Sequence, residues 1–157
     1  MVSQLTILAE SLDKKLQVLE RIQEYNRKQE AAFVEGQVTL EDFDEAVEQK
    51  GRLIEELTRL DEGFEIMYAR LAEELQENRS RYAEQIRILQ QKITVITDMS
   101  MSIQAQEKRN KQLVEQYFSR ERTKLGESRK TSKAAFDYYR NMSNTAYVEP
   151  QMYDNKK

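Results

Sequence analysis

The side chains best equipped for chemistry in this chain are carboxylates, and their spacing argues against catalysis. Glu55/Glu56 and Glu73/Glu74 are sequence neighbours, and on a helix neighbours splay by about 100°. Such pairs cannot close on one proton or one substrate, and no base or pocket residue accompanies them, so they read as solvated faces. Asp42 and Asp44 lack the Gly and the later Glu of a calcium loop. The four glycines are isolated, which leaves no phosphate-cradling loop. The chain contains no His and no Cys, which removes disulfides, thiolate nucleophiles, zinc sites and His-based triads. It also removes the Glu-x-x-His pairs that hold di-iron centres in helical bundles. The expectation is a protein that is not an enzyme, with no catalytic, metal or cofactor-binding residue and no cofactor.

What remains is recognition. Residues 120–133 carry Arg120, Arg122, Lys124, Arg129, Lys130 and Lys133 against Glu121 and Glu127, the footprint a nucleic-acid-binding helix would leave. The overall pI is about 5.3 and no recognition motif accompanies the segment, so no nucleic acid partner is expected. Net charge is −3, distributed as −10 over residues 1–78 and +7 over residues 79–157. Either an acidic front half folds against a basic rear half, or the rear half attracts an acidic partner. Seven of the 13 aromatic residues fall in the last 41 positions. Two readings stay open for them: Phe136 and Tyr139 dock back onto the bundle or onto a second copy, or 134–142 engages another protein as a helix in a groove. The apolar face at 134–142 is short for an interfacial helix, and no apolar run is long enough to span a bilayer. Direct membrane insertion is therefore not expected. Met1-Val2-Ser3-Gln4 lacks the basic start and apolar core of a secretion signal, which points to the cytoplasm.

The elements that must position these residues are helices. One Pro and four Gly in 157 residues, with 34% charged residues, suit long helices and coiled coils. Leu5, Leu8, Leu12, Leu16, Leu19 and Ile22 recur at steps of three and four, one stripe of a helix over 3–35. Gly36 can end it in left-handed geometry. Thr39 can cap the next helix, with Glu41, Asp42 and Asp44 near the positive end of its dipole. Over 39–77 the steps alternate four and three through Phe43, Val47, Lys50, Ile54, Leu57, Asp61, Phe64, Tyr68, Leu71 and Leu75, a heptad pattern. Lys50 and Asp61 are its polar seam positions, with Leu53 and Leu60 beside them to share the burial. Gly51 and Gly63 lie inside this helix and cost roughly 1 kcal/mol each against Ala. A helix continuing from 40 to about 125 would reach on the order of 130 Å with little to pack on, so a turn is expected at 77–80.

The third helix, over 80–125, carries Tyr82, Ile86, Leu89, Ile93, Ile96, Ile103, Asn110, Val114 and Tyr117, with Met99 and Met101 filling local gaps. After a basic stretch around Gly126 a short amphipathic helix is expected over 130–143, then a flexible tail over 144–157. The expected fold is all-α, an elongated antiparallel helical hairpin or three-helix coiled-coil bundle with a C-terminal amphipathic helix.

This layout resembles a known family. The stretch from Leu12 (Asp-Lys-Lys-Leu-Gln-Val-Leu-Glu-Arg-Ile) to Glu30, a short loop, and then Phe43, Lys50, Leu53, Ile54 and Leu57 resemble the FlgN-like flagellar type III export chaperones. The FliT-like chaperones look similar as well. The resemblance covers about residues 5–118. It implies a cytoplasmic chaperone of bacterial flagellum biogenesis and protein transport. Such a chaperone keeps a flagellar structural subunit, a hook–filament junction or cap protein, unassembled and delivers it to the export gate. It implies a gripping surface for an amphipathic helix that includes Val114, Tyr117, Phe118, Phe136, Tyr139 and Met142. It also implies docking to an export-gate membrane protein through a C-terminal tyrosine, which Tyr117, Tyr138 or Tyr139 would supply. The tail with Tyr147-Val-Glu-Pro150 departs from the family pattern. The alternative expectation, from the heptads of 43–75, is a scaffolding coiled coil that forms a homodimer or larger oligomer.

Overall fold

The structure is a computed structural model that describes residues 1–36, 38–121 and 138. Three helices follow in order, α1 Val2–Glu35, α2 Leu40–Glu77 and α3 Ala83–Glu121. With 34, 38 and 39 residues, each is a rod of about 50–60 Å at 1.5 Å per residue. The architecture is the expected all-α three-helix bundle, without a strand among the described residues. None of these helices is long and apolar enough to cross a membrane.

Side-chain contacts fix how the rods run. Lys15 meets Asp61, Asn26 meets Lys50 and Phe33 meets Phe43, so α2 runs antiparallel to α1. Asp13–Lys92, Gln23–Ser102 and Asn26–Gln106 keep a sequence separation of 79 or 80 residues, so α3 runs parallel to α1. The backbone of α1 packs closely against both neighbours.

The ends of the helices follow from local chemistry. Gly36 closes α1 at φ 69° and ψ 21°, its N–H pointing to the Ala32 and Phe33 carbonyls, a left-handed geometry that an L side chain would resist. Thr39 caps α2 by accepting the Asp42 N–H on its hydroxyl at 3.1 Å. The second reversal lies at 78–82 rather than 77–80, and α3 starts at Ala83 rather than 80. Asn78 takes the Glu74 carbonyl with both its backbone N–H and its side-chain amide, at 3.1 and 3.0 Å. Tyr82 then donates its N–H to the Asn78 carbonyl. The later start has a packing reason: Tyr82 is buried as part of the core, so the chain completes its reversal on that ring. The expected continuation of the third helix to 125, the short helix over 130–143 apart from Tyr138, and the tail over 144–157 lie outside the described residues.

The heptad positions of α2 all face inward. Phe43, Val47, Ile54, Leu57, Leu71 and Leu75 are buried, as are Lys50 and Asp61, while Phe64 and Tyr68 are half-buried and stacked 6.1 Å apart. Fully burying one such aliphatic side chain stabilises the fold by about 1.5–3 kcal/mol. On α1 the expected stripe needs a correction. Leu16 is only half-buried, and Lys15 and Val18 take the inner positions beside Leu12 and Leu19. Lys15 is drawn in because Asp61 on α2 accepts from its ammonium at 2.7 Å.

Candidate protein-binding site

One turn above Ile22 the core changes character. The next inward positions of α1 are Asn26 and Gln29, and α2 and α3 bring Lys50, Gln106, Glu107 and Asn110 to the same level, all buried. Lys50 is 0% exposed. Its Nζ donates to Asn26 Oδ1 at 2.8 Å, to Gln29 Oε1 at 2.6 Å and to Glu107 Oε1 at 3.3 Å. An ammonium has three protons, and three acceptors on two helices meet them. Asn26 Nδ2 donates to Gln106 Oε1 at 3.3 Å, and Asn110 Nδ2 donates to the Asn26 carbonyl at 3.1 Å. Lys50 and Glu107 thus tie α2 to α3 directly, and Asn26 and Gln29 join α1 to the same ammonium.

Tyr138 completes this layer from beyond the end of α3. Its hydroxyl donates to Glu107 Oε1, and the Lys50 ammonium lies 4.1 Å from its ring centroid. A cation over a π face is worth most when both are desolvated, and Tyr138 is 4% exposed. The ring supplies apolar cover and the hydroxyl supplies the polar tip, which suits a site with an ion pair at its base.

The electrostatics follow from burial. Loss of hydration pulls the Lys50 ammonium down to about 8, and the Glu107 carboxylate offsets part of that. The Lys15–Asp61 pair lower on the rod behaves alike: burial lowers Lys15 and raises Asp61, each opposed by the other partner. A lysine near 8 is an amine that could attack a carbonyl, but Lys50 is fully enclosed. Its chemistry here is to hold partners in place.

The residues expected to form the gripping surface separate. Val114 is a core residue, 4% exposed, two helical turns beyond Glu107 on the same face of α3. Tyr117 is half-buried at the loop end; its hydroxyl donates to the Val38 carbonyl at 3.2 Å, and its ring meets Phe33 edge-on at 5.8 Å. Tyr138 is seated between Lys50 and Glu107. Of these residues the structure therefore brings Tyr138 into the polar layer and leaves Tyr117 at the 36–39 loop. Phe136, Tyr139 and Met142, and the side chain of Phe118, lie outside the described residues.

Lys50, Asn26, Gln29 and Glu107 were not among the expected site residues. The available signal was a run of polar residues at inward steps: Asn26 and Gln29 continue the α1 stripe, Lys50 holds a heptad position, and Asn110 interrupts the α3 stripe. Sharing of burial by Leu53 and Leu60 does not free Lys50 to reach solvent; Leu53 is buried beside it and Leu60 is half-buried. Compared with protein-family models, with curated proteins and with solved structures, the chain matches none.

Proposed function

We propose that this chain is a cytoplasmic flagellar export chaperone. It binds an amphipathic helix of a flagellar structural subunit, a hook–filament junction or cap protein, keeps that subunit from assembling early, and presents it to the export-gate membrane protein. The work is done by binding and not by catalysis. The observation that carries the reading is the seat of Tyr138. The layer around Lys50 and Glu107 takes a side chain from beyond the end of α3 into a buried, cation-based site, which is the kind of recess a helix-borne aromatic anchor requires. The resemblance of residues 5–118 to the FlgN-like and FliT-like chaperones supplies the class of partner. The scaffolding alternative draws on the α2 heptads, and these are occupied within one chain by α1 and α3.

The test is co-expression of the full chain with a hook–filament junction protein or a cap protein, followed by purification and mass measurement. The expected result is a stoichiometric complex whose affinity falls at least about tenfold in Phe136→Ala plus Tyr139→Ala, the loss typical of removing an aromatic anchor. Failure of both candidate subunits to co-purify would overturn the reading. So would a bare chain that forms an oligomer whose melting temperature climbs with concentration.

A further inference from the structure

A different recess lies along α1 and α2, and none of its lining residues belongs to α3. Beside the hairpin loop a cleft of about 270 Å³ is lined by the rings of Tyr25, Phe33 and Phe43 and by the small side chains of Ala32 and Ala46. It runs into a more polar recess of about 420 Å³ that shares Tyr25, Lys28 and Gln49 and reaches Arg21 and Arg52. From Arg21 to Phe33 on α1 the combined groove is about 18 Å long at 1.5 Å per residue, the length of a helix of about 12 residues.

Its charge is ordered from end to end. Asp42 and Glu45 stand at the loop end, both exposed. Arg21, Lys28 and Arg52 stand toward the other end, with Glu24 and Glu56. Glu24 is engaged by Arg27 at 3.4 Å, and Arg52 by Glu48 at 2.8 Å. Gln29 is 6% exposed and lines the cleft, and its Oε1 accepts from Lys50. Its Nε2 has no hydrogen-bond partner among the described residues.

We propose that this α1–α2 groove docks an amphipathic helix of a protein partner. Apolar side chains spaced i, i+4 enter the cleft. The basic end lies over Asp42 and Glu45 and the acidic end over Arg21 and Lys28. Helices favour acidic residues at their N-terminus and basic ones at their C-terminus, so the docked helix runs parallel to α1. The site shares no lining residue with the Tyr138 seat except through Gln29's contact to Lys50, and it stands whether or not the function proposed above holds.

The probe is an acetylated, amidated 12-residue helical peptide with Glu in its first turn, Leu at i, i+4 along one face and Lys in its last turn. A twin carries the same residues with the charges exchanged. Both are titrated at low salt into the full chain by fluorescence anisotropy. The first peptide should bind roughly tenfold more tightly than the twin, the preference expected of two or three surface charge pairs. Ala46→Trp fills the cleft and should abolish the difference, with circular dichroism confirming that the bundle stays helical. Glu45→Lys changes only an exposed side chain and should weaken the first peptide toward the affinity of the twin. Equal binding of the two peptides by the wild type overturns the proposal, as does full binding by a folded Ala46→Trp chain. If the chain alone sediments as a dimer that Ala46→Trp or Glu45→Lys dissociates, a second copy fills the groove and the partner helix is wrong.

Discussion

The half of the rod nearest the 78–82 reversal and the half nearest the 36–39 loop are built from the same three helices but on different principles. In the first, Leu5, Leu8, Leu12, Leu71, Leu75, Tyr82, Leu89 and Ile93 make a nearly pure hydrocarbon core, interrupted at its upper edge by the Lys15–Asp61 pair. In the second, Asn26, Gln29, Lys50, Gln106, Glu107 and Asn110 replace it with a hydrogen-bonded layer that Tyr138 closes. Hydrocarbon contacts are strong but have no direction, so a rod held by them alone can slide by a turn at little cost. A polar layer works only in one register, because every member needs its own partner. The difference teaches a division of roles: the apolar half supplies most of the stability, and the polar half sets register and selects what may cover it.

The sharpest way to break that division is to exchange the costs. Leu8→Ala, at a position 1% exposed, should lose about 3–4 kcal/mol through lost transfer energy plus cavity. At 2–4 °C per kcal/mol for a chain of this size, thermal melting should drop by roughly 10 °C; a drop of only a degree or two would mean the apolar half is not the anchor. Lys50→Met should cost about 3 kcal/mol, because Asn26, Gln29 and Glu107 lose a donor while remaining buried. Adding Glu107→Leu should restore at least about 1 kcal/mol relative to the sum of the single losses. Strictly additive losses in urea titrations would dissolve the network.

The effect of pH separates the halves further. The folded value of Lys50 is about 8 against 10.5 unfolded. Between those values the unfolded chain keeps a proton that the folded chain gives up, so this lysine makes stability rise with pH across the window. The wild type should gain about 2 kcal/mol on Lys50→Met between pH 8 and pH 10, at about 1.4 kcal/mol per unit. A stability difference that stays flat over that range would remove Lys50 from the account. The smallest change expected is a gain. Gly63 sits mid-helix where an added Cβ meets nothing within 4 Å. Gly63→Ala should therefore stabilise by about 1 kcal/mol and raise the melting temperature by a few degrees, without altering the pH response of the polar half.

Much of the rod was legible beforehand because its signals are local. Gly36 ends α1 and Thr39 starts α2 through backbone geometry and one hydroxyl, and neither depends on distant residues. The alternating steps of α2 placed ten residues that all turn inward, and Leu53 is buried beside them. The candidate site was less legible. Val114 and Tyr117 carry the same apolar signature whether they face a core or a partner, and only the position of α1 and the 36–39 loop decided between these. Leu16 looked like a better core residue than Lys15 until Asp61 was brought opposite.

Taken alone, the order of residues determined that the chain would be built of long helices, where two of them meet at a glycine and a capping threonine, and which side of α2 turns inward. Those follow from backbone propensity and from the 3.6-residue repeat, which act over a few residues at a time. Which polar side chains stay inside was decided only when the helices assembled. A buried ammonium is tolerable solely where acceptors from other helices arrive at its level. Asn26, Gln29 and Glu107 reach Lys50 from 21 to 57 residues away.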